Sequence, residues 1–222
     1  DYTTLGVIMA AGEGAFPALR AAYRAANTPE GRLRCAHVLG MMGDATGAGT
    51  LVDVVNEKTV FDTENISVYF PCITWLDSYI IALGRSGASA ALSTVLTKLE
   101  TLRAIEGRSS HYRAVCDALE HLGDSRAAEP LAGLLKGLLQ KGRPSRLVTQ
   151  EDESRGVTRG KSGQQDLIIA RVLYRCGDFE GLGKQILTMY AQDVRGVFSA
   201  HARAVLARKP GEATRPAGWV GD

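Results

Sequence analysis

The side chains able to hold a metal or move a proton are scattered along this chain. Its histidines are His37, His111, His121 and His201, and no two stand in the HExxH spacing that sets a zinc pair one turn apart on a helix. The cysteines, Cys35, Cys72, Cys116 and Cys176, lie far apart, without the close pairs of a zinc or redox site. Three of them (Cys35, Cys116, Cys176) fall in or beside apolar positions, where a free thiol acts as a small hydrophobe. Structural thiols are expected rather than disulfides. No GxSxG elbow or paired-carboxylate signature occurs. The stretch Gly43-Asp-Ala-Thr-Gly47-Ala-Gly49 has enough glycines for a phosphate loop. Such a loop must follow a strand and open a helix, whereas residues 32–42 read as helix. Asn65-Ile66-Ser67 is a glycosylation sequon, with meaning only in a eukaryotic secretory setting. The sequence therefore offers no catalytic residue, no cofactor-binding residue and no metal-ligand set.

Binding chemistry is better represented, in two stretches. Residues 56–75 hold Phe61, Tyr69, Phe70 and Trp75, with Pro71 and Cys72 between them. Aromatic and arginine side chains dominate interface hot spots. With Asp77 and Arg85 just beyond, these residues form the candidate partner contact. The same aromatics would also plug a gap between neighbouring structural units, a use their large buried area favours. Residues 141–163 differ in kind: Lys141, Arg143, Arg146, Arg155, Arg159 and Lys161 stand against Glu151, Asp152 and Glu153, with very few apolar residues. That composition predicts a solvated, mobile surface loop, or else a basic arm for an acidic partner. No aromatic residue interleaves with the basic ones, so a single-strand nucleic-acid platform is not supported.

Overall charge is balanced, 26 basic residues against 24 acidic for a net +2. Proteins of nucleic acid or anionic membranes usually show a segregated basic face, so neither partner is expected. No apolar stretch approaches the roughly 20 residues of a membrane span.

The elements that must position these residues are announced by a repeat. Four strings end alike: Leu39-Gly-Met-Met-Gly43-Asp44, Leu83-Gly-Arg-Ser-Gly87, Leu119-Glu-His-Leu-Gly123-Asp124 and Leu173-Tyr-Arg-Cys-Gly177-Asp178. Seven residues before each final glycine stand Ala36, Ile80, Cys116 and Ala170; eight before stand Cys35, Tyr79, Val115 and Ile169. Offsets of four, seven and eight fall on one helical face. A left-handed glycine then ends the helix, and Asp can start the next turn. A second apolar stripe follows each copy: Leu51, Val54, Val55; Leu92, Val95, Leu96, Leu99; Leu131, Leu134, Leu135; Leu182, Ile186, Met189. Helix pairs at about 40–47 residues mark HEAT or armadillo stacks. The expected fold is all-α, a right-handed α-solenoid of about five to six HEAT-like helix pairs without a sheet. One repeat domain is expected over 1–209, with excursions at 56–75 and 141–163, followed by a C-terminal tail at 210–222. The first unit looks partial, as if cut from something longer.

The strings Arg34-Cys-Ala-His-Val-Leu-Gly-Met-Met-Gly-Asp44, Leu76-Asp-Ser-Tyr-Ile-Ile-Ala-Leu-Gly-Arg85, His111-Tyr-Arg-Ala-Val-Cys-Asp-Ala-Leu-Glu120 and Ala170-Arg-Val-Leu-Tyr-Arg-Cys-Gly-Asp-Phe-Glu-Gly-Leu-Gly183 resemble one group. It is the HEAT-like C-terminal region of large bacterial FAD-dependent oxidoreductases, some of which carry a xanthan lyase label. The ending Asp193-Val-Arg-Gly-Val-Phe-Ser-Ala-His-Ala-Arg-Ala-Val-Leu206 is similar to that family's close. The resemblance covers about Ala15 to Leu206 and implies a flavin enzyme whose FAD-binding half lies upstream. No FAD-contacting residue carries over onto this chain, so its own cofactor list is empty. The expected role is a non-catalytic accessory domain that packs on the catalytic half or shapes access to it. The alternative is a stand-alone HEAT-like protein-interaction module; a nucleic-acid enzyme is disfavoured by the charge balance.

Overall fold

A computed structural model describes residues 8, 10–58, 61, 65–67, 70–104, 109–156 and 165–212, at 65–67 and 70–73 by backbone alone. The described residues are helical almost throughout. In chain order the helices are α1 (Phe16–Ala25), α2 (Pro29–Met41), α3 (Ala48–Glu57), α4 (Trp75–Arg85), α5 (Ala91–Ala104), α6 (Ser109–Leu122), α7 (Ala128–Leu138), α8 (Gln150–Ser154), α9 (Gln165–Arg175), α10 (Leu182–Tyr190) and α11 (Gly196–Leu206). Between α3 and α4 lies an antiparallel hairpin of β1 (Asn65–Ser67) and β2 (Phe70–Thr74), pairing Asn65 with Thr74 and Ser67 with Phe70. A sheetless chain was expected. The hairpin suits a first excursion rich in aromatic and β-branched residues, and Pro71 stands in an edge strand, where proline is tolerated.

The helices gather into two compact units. The first takes the described residues up to Lys98 together with Asp117–Leu122; the second takes Leu99–Cys116 and the described residues from Gly123 onward.

In the first unit the repeat stripe is the core. Ala36, Leu39, Ile80, Leu83 and Leu119 are fully buried, with Leu51 and Val55 from α3 against them. Val54 and Leu96, also on the second stripes, stand half-buried at its margin. α2 packs on α4 at very short range, since a Cβ on Gly40 would come within 2.7 Å of the Ala82 carbonyl. Gly84 meets α6 more closely still: a Cβ there would lie 2.2 Å from Ala118 Cα. Asp44 starts the turn that follows α2, as its sequence predicts, accepting from Thr46 N at 2.8 Å. Its other oxygen takes the Arg20 guanidinium, Nε at 2.7 Å, which ties α1 to the end of α2. Burial alone would raise the Asp44 pKa; the bonds from Thr46 and Arg20 outweigh it and hold it low.

The second unit buries Leu131, Leu134 and Leu135 of α7, Ile169, Ala170 and Leu173 of α9, and Leu182, Ile186 and Tyr190 of α10. Gly43, Gly123 and Gly177 all have positive φ (90°, 60° and 116°), the left-handed stop that the repeat requires. The acid that follows diverges in the last copy. Asp124 accepts from Arg126 N at 2.9 Å, as Asp44 does from Thr46. Asp178 is instead left-handed (φ 55°) and turns back to accept from Lys184 N at 3.2 Å, at the start of α10. Gly183 makes room, because a Cβ there would stand 2.6 Å from the Asp178 carboxylate.

The second excursion is not the mobile loop its composition suggests, as far as Gly156. Gln140 and Arg143 exchange backbone bonds at 3.1 and 3.0 Å around a tight turn. Leu147 and Val148 are buried. Asp193 accepts from Val148 N at 3.0 Å, Val194 N donates to Val148 O at 3.1 Å, and the Arg195 guanidinium donates to Arg146 O. Thr149 and Asp152 then close a capping box that starts α8. Two apolar residues and one buried carboxylate thus fix a stretch whose average composition is polar; Arg159 and Lys161 lie outside the described residues.

Candidate functional site

The start of α4 gathers the sequence-predicted contact residues and sorts them. Thr74 is its N-cap: Thr74 Oγ1 accepts from Asp77 N at 3.1 Å, and Asp77 Oδ2 accepts from Thr74 N at 3.0 Å. This reciprocal capping box satisfies two amides that the helix cannot. It also removes Asp77 from any surface role, since Asp77 is completely buried. Phe61 is buried as well, so it is the gap-filling use that the structure supports for this ring. Tyr69 lies outside the described residues, and of Phe70 only the backbone, in β2, is described.

Trp75 is different. It opens α4 and remains 46% exposed, a large fraction for so apolar a ring. Tyr79, one turn along, stacks on it with centroids 5.9 Å apart and planes at 24°. His37 of α2 stands edge-on beneath both rings, 5.2 Å from Tyr79 and 6.3 Å from Trp75. The helical spacing of 75, 78 and 79 puts Ser78 on the same face, and Ser78 Oγ lies 2.7 Å from His37 Nε2. The result is an aromatic platform, stacked from the side and pinned from below by a polar bond between α2 and α4.

A serine hydroxyl against a histidine nitrogen has the parts of a nucleophile and its base. The electrostatics do not favour that use. Burial lowers the His37 pKa to about 4, so the ring is neutral at pH 7 and takes up a proton weakly. A neutral imidazole can both donate and accept, which suits a buried bond to a hydroxyl. The pair's evident work is to hold two helices in register beneath the platform.

At the far end of α4, Arg85 Nε stands 3.5 Å from Asp117 Oδ2. His121 Nδ1 is 2.8 Å from the Asp117 carbonyl oxygen, to which it donates, and 3.7 Å from its carboxylate. Arg85, the remaining contact candidate, is thus half-buried and engaged by the Asp117 carboxylate rather than free at the surface. The residues missed in the sequence are His37, Ser78 and Tyr79. Tyr79 and Ser78 were legible in the i, i+3, i+4 spacing from Trp75; the His37 partnership, 41 residues away, was not.

The thiols are structural where described. Cys116 and Cys176 are buried, and burial pushes Cys176 up to about 12, far from a reactive thiolate. Among the described residues no group of three or more His, Cys, Asp or Glu side chains could hold a metal ion, and no helix is long and apolar enough to cross a membrane. No family model, no curated protein and no solved structure matches this chain.

Proposed function

We propose that this chain is a non-catalytic scaffold that works by protein contact, built as a right-handed α-solenoid of HEAT-like helix pairs. Its place, on this reading, is the C-terminal accessory domain of a larger FAD-dependent oxidoreductase, where it packs on the catalytic half or shapes access to it. The observation that carries the contact reading is Trp75, 46% exposed yet held by the capping box and the Tyr79 stack. A rigid aromatic anchor loses little conformational entropy on binding, the property of an interface hot spot. The assignment to a flavin enzyme rests on the resemblance of residues 15–206, the Tyr-Arg-Cys-Gly-Asp string at 174–178 above all.

The test is binding of the chain to the dinucleotide-binding half of its native polypeptide, followed by calorimetry. A saturable complex that Trp75→Ala weakens by about thirtyfold, the equivalent of one hot-spot side chain, supports the reading. A native polypeptide without any dinucleotide-binding region overturns the accessory role and leaves the stand-alone interaction module.

A further inference from the structure

We propose that the turn Gln140–Arg143, in the second unit, is a docking tip for an acidic protein segment, with Lys141 and Arg143 as its contact residues. It makes no use of the Trp75 platform.

The turn is stiff by construction. Gln140 N donates to Arg143 O at 3.1 Å, and Arg143 N donates back to Gln140 O at 3.0 Å. Lys141 and Gly142 between them have φ of 51° and 74°. Two central residues with positive φ are the pattern of a type I′ hairpin turn, where Asn-Gly is the usual pair. The chain that follows is tied down. Pro144, Leu147 and Val148 are buried, Asp193 accepts from Val148 N at 3.0 Å, and the Arg195 guanidinium donates to the Arg146 carbonyl. The tip itself is exposed at all four residues.

Lysine is a strained choice at that position. With φ at 51° its Cβ crowds the backbone, a conformation that Asn tolerates better. Two other non-glycine residues among the described ones are left-handed, and each has a side-chain bond that offsets the strain. Asp178 accepts from Lys184 N at 3.2 Å, and Glu180 Oε2 accepts from Lys136 Nζ at 2.6 Å. Among the described residues, neither Lys141 nor Arg143 has a side-chain hydrogen-bond or ion-pair partner. The strain at Lys141 therefore holds a charge at the tip of a fixed turn, facing solvent, with no use inside the described fold.

The surrounding charge favours an anion. Residues 99–116 and 123–213, which make up the second unit, hold 18 basic side chains against 12 acidic; the rest of the chain holds 8 against 12. The balanced total thus conceals a positive unit, which draws anions from a distance. Carboxylates fit the tip better than a nucleic acid does. Duplex-binding proteins commonly neutralise roughly six to ten phosphates, and single-strand platforms need aromatic rings. This tip offers two cations, an arginine fork for one carboxylate and a lysine point charge for another.

The experiment measures binding of the full chain to a fluorescein-labelled oligoglutamate peptide by anisotropy, in about 50 mM salt. Lys141→Asn and the double variant Lys141→Asn/Arg143→Gln are compared with the parent. Asparagine suits the left-handed position, so Lys141→Asn is expected to melt no earlier than the parent. Saturable binding is expected, weakened about threefold by Lys141→Asn and at least about tenfold by the double variant, and weakened in the parent as salt rises to about 200 mM. Unchanged binding in the double variant overturns the proposal. So does a lower melting temperature for Lys141→Asn, which would give the lysine a role in the fold. Tighter binding through the same two residues to a DNA duplex or to phosphatidylserine vesicles would reassign the tip to phosphates and overturn the acidic-segment assignment.

Discussion

At the residue scale, Gly84 shows how a local preference and a tertiary contact can oppose each other. Inside a helix, glycine is less favourable than alanine by about 1 kcal/mol, so helix propensity alone favours replacing it. In the folded chain a Cβ at Gly84 would sit 2.2 Å from Ala118 Cα, a backbone atom with no rotamer to yield. Overpacking of that kind costs about 1–3 kcal/mol or more and outweighs the propensity gain. Gly84→Ala is therefore expected to destabilise the fold by at least about 1 kcal/mol in urea unfolding. Gly137, in α7, has nothing within 4 Å of its hypothetical Cβ, and Gly137→Ala is expected to stabilise by about 0.5–1 kcal/mol. Equal effects at the two sites would show that α4 and α6 are not in close register.

At the element scale, the segment from Lys141 to Ser154 is decided by one acid. The Asp193 side chain, itself inaccessible to solvent, accepts from Val148 N at 3.0 Å, from Arg195 N at 2.9 Å and from Arg195 Nε at 2.9 Å. Burial would raise its pKa; the bonds from Arg195 and Val148 outweigh that and keep it below the usual carboxylate range. A depressed carboxylate contributes stability that is fully present above its unfolded pKa of about 3.9 and is lost as pH falls through the lower folded value. Asp193→Asn is expected to cost about 1–3 kcal/mol at pH 7. That cost should shrink on acidification through the same window. Hydrogen exchange at residues 146–149 should accelerate while α9 keeps its protection. Protection of 146–149 that survives the substitution would mean that Leu147 and Val148 hold the segment by burial alone.

At the scale of the whole molecule, the four superposable helix ends supply architecture and leave chemistry to the exposed remainder. Among the described residues no glycine loop joins a strand to a helix as a pyrophosphate site requires. On its own the chain is expected to bind no flavin. Titration with FAD followed by flavin fluorescence checks this, and saturable micromolar binding would overturn the accessory-domain reading.

The sequence by itself determined the helical class, the four buried leucines at 39, 83, 119 and 173, and the left-handed glycines that end three of the helices. Each of those is a local matter, since a period of 3.6 residues and a residue without Cβ carry their structural meaning within one turn. Tertiary structure decided what lay between. It buried Asp77 and Phe61 while leaving Trp75 at the surface, joined His37 to Ser78 across 41 residues, and drew a polar segment onto Asp193. Composition could not show these outcomes, because the fate of a polar or aromatic side chain depends on a partner that is distant in the chain. An apolar stripe, by contrast, needs only some neighbour to cover it.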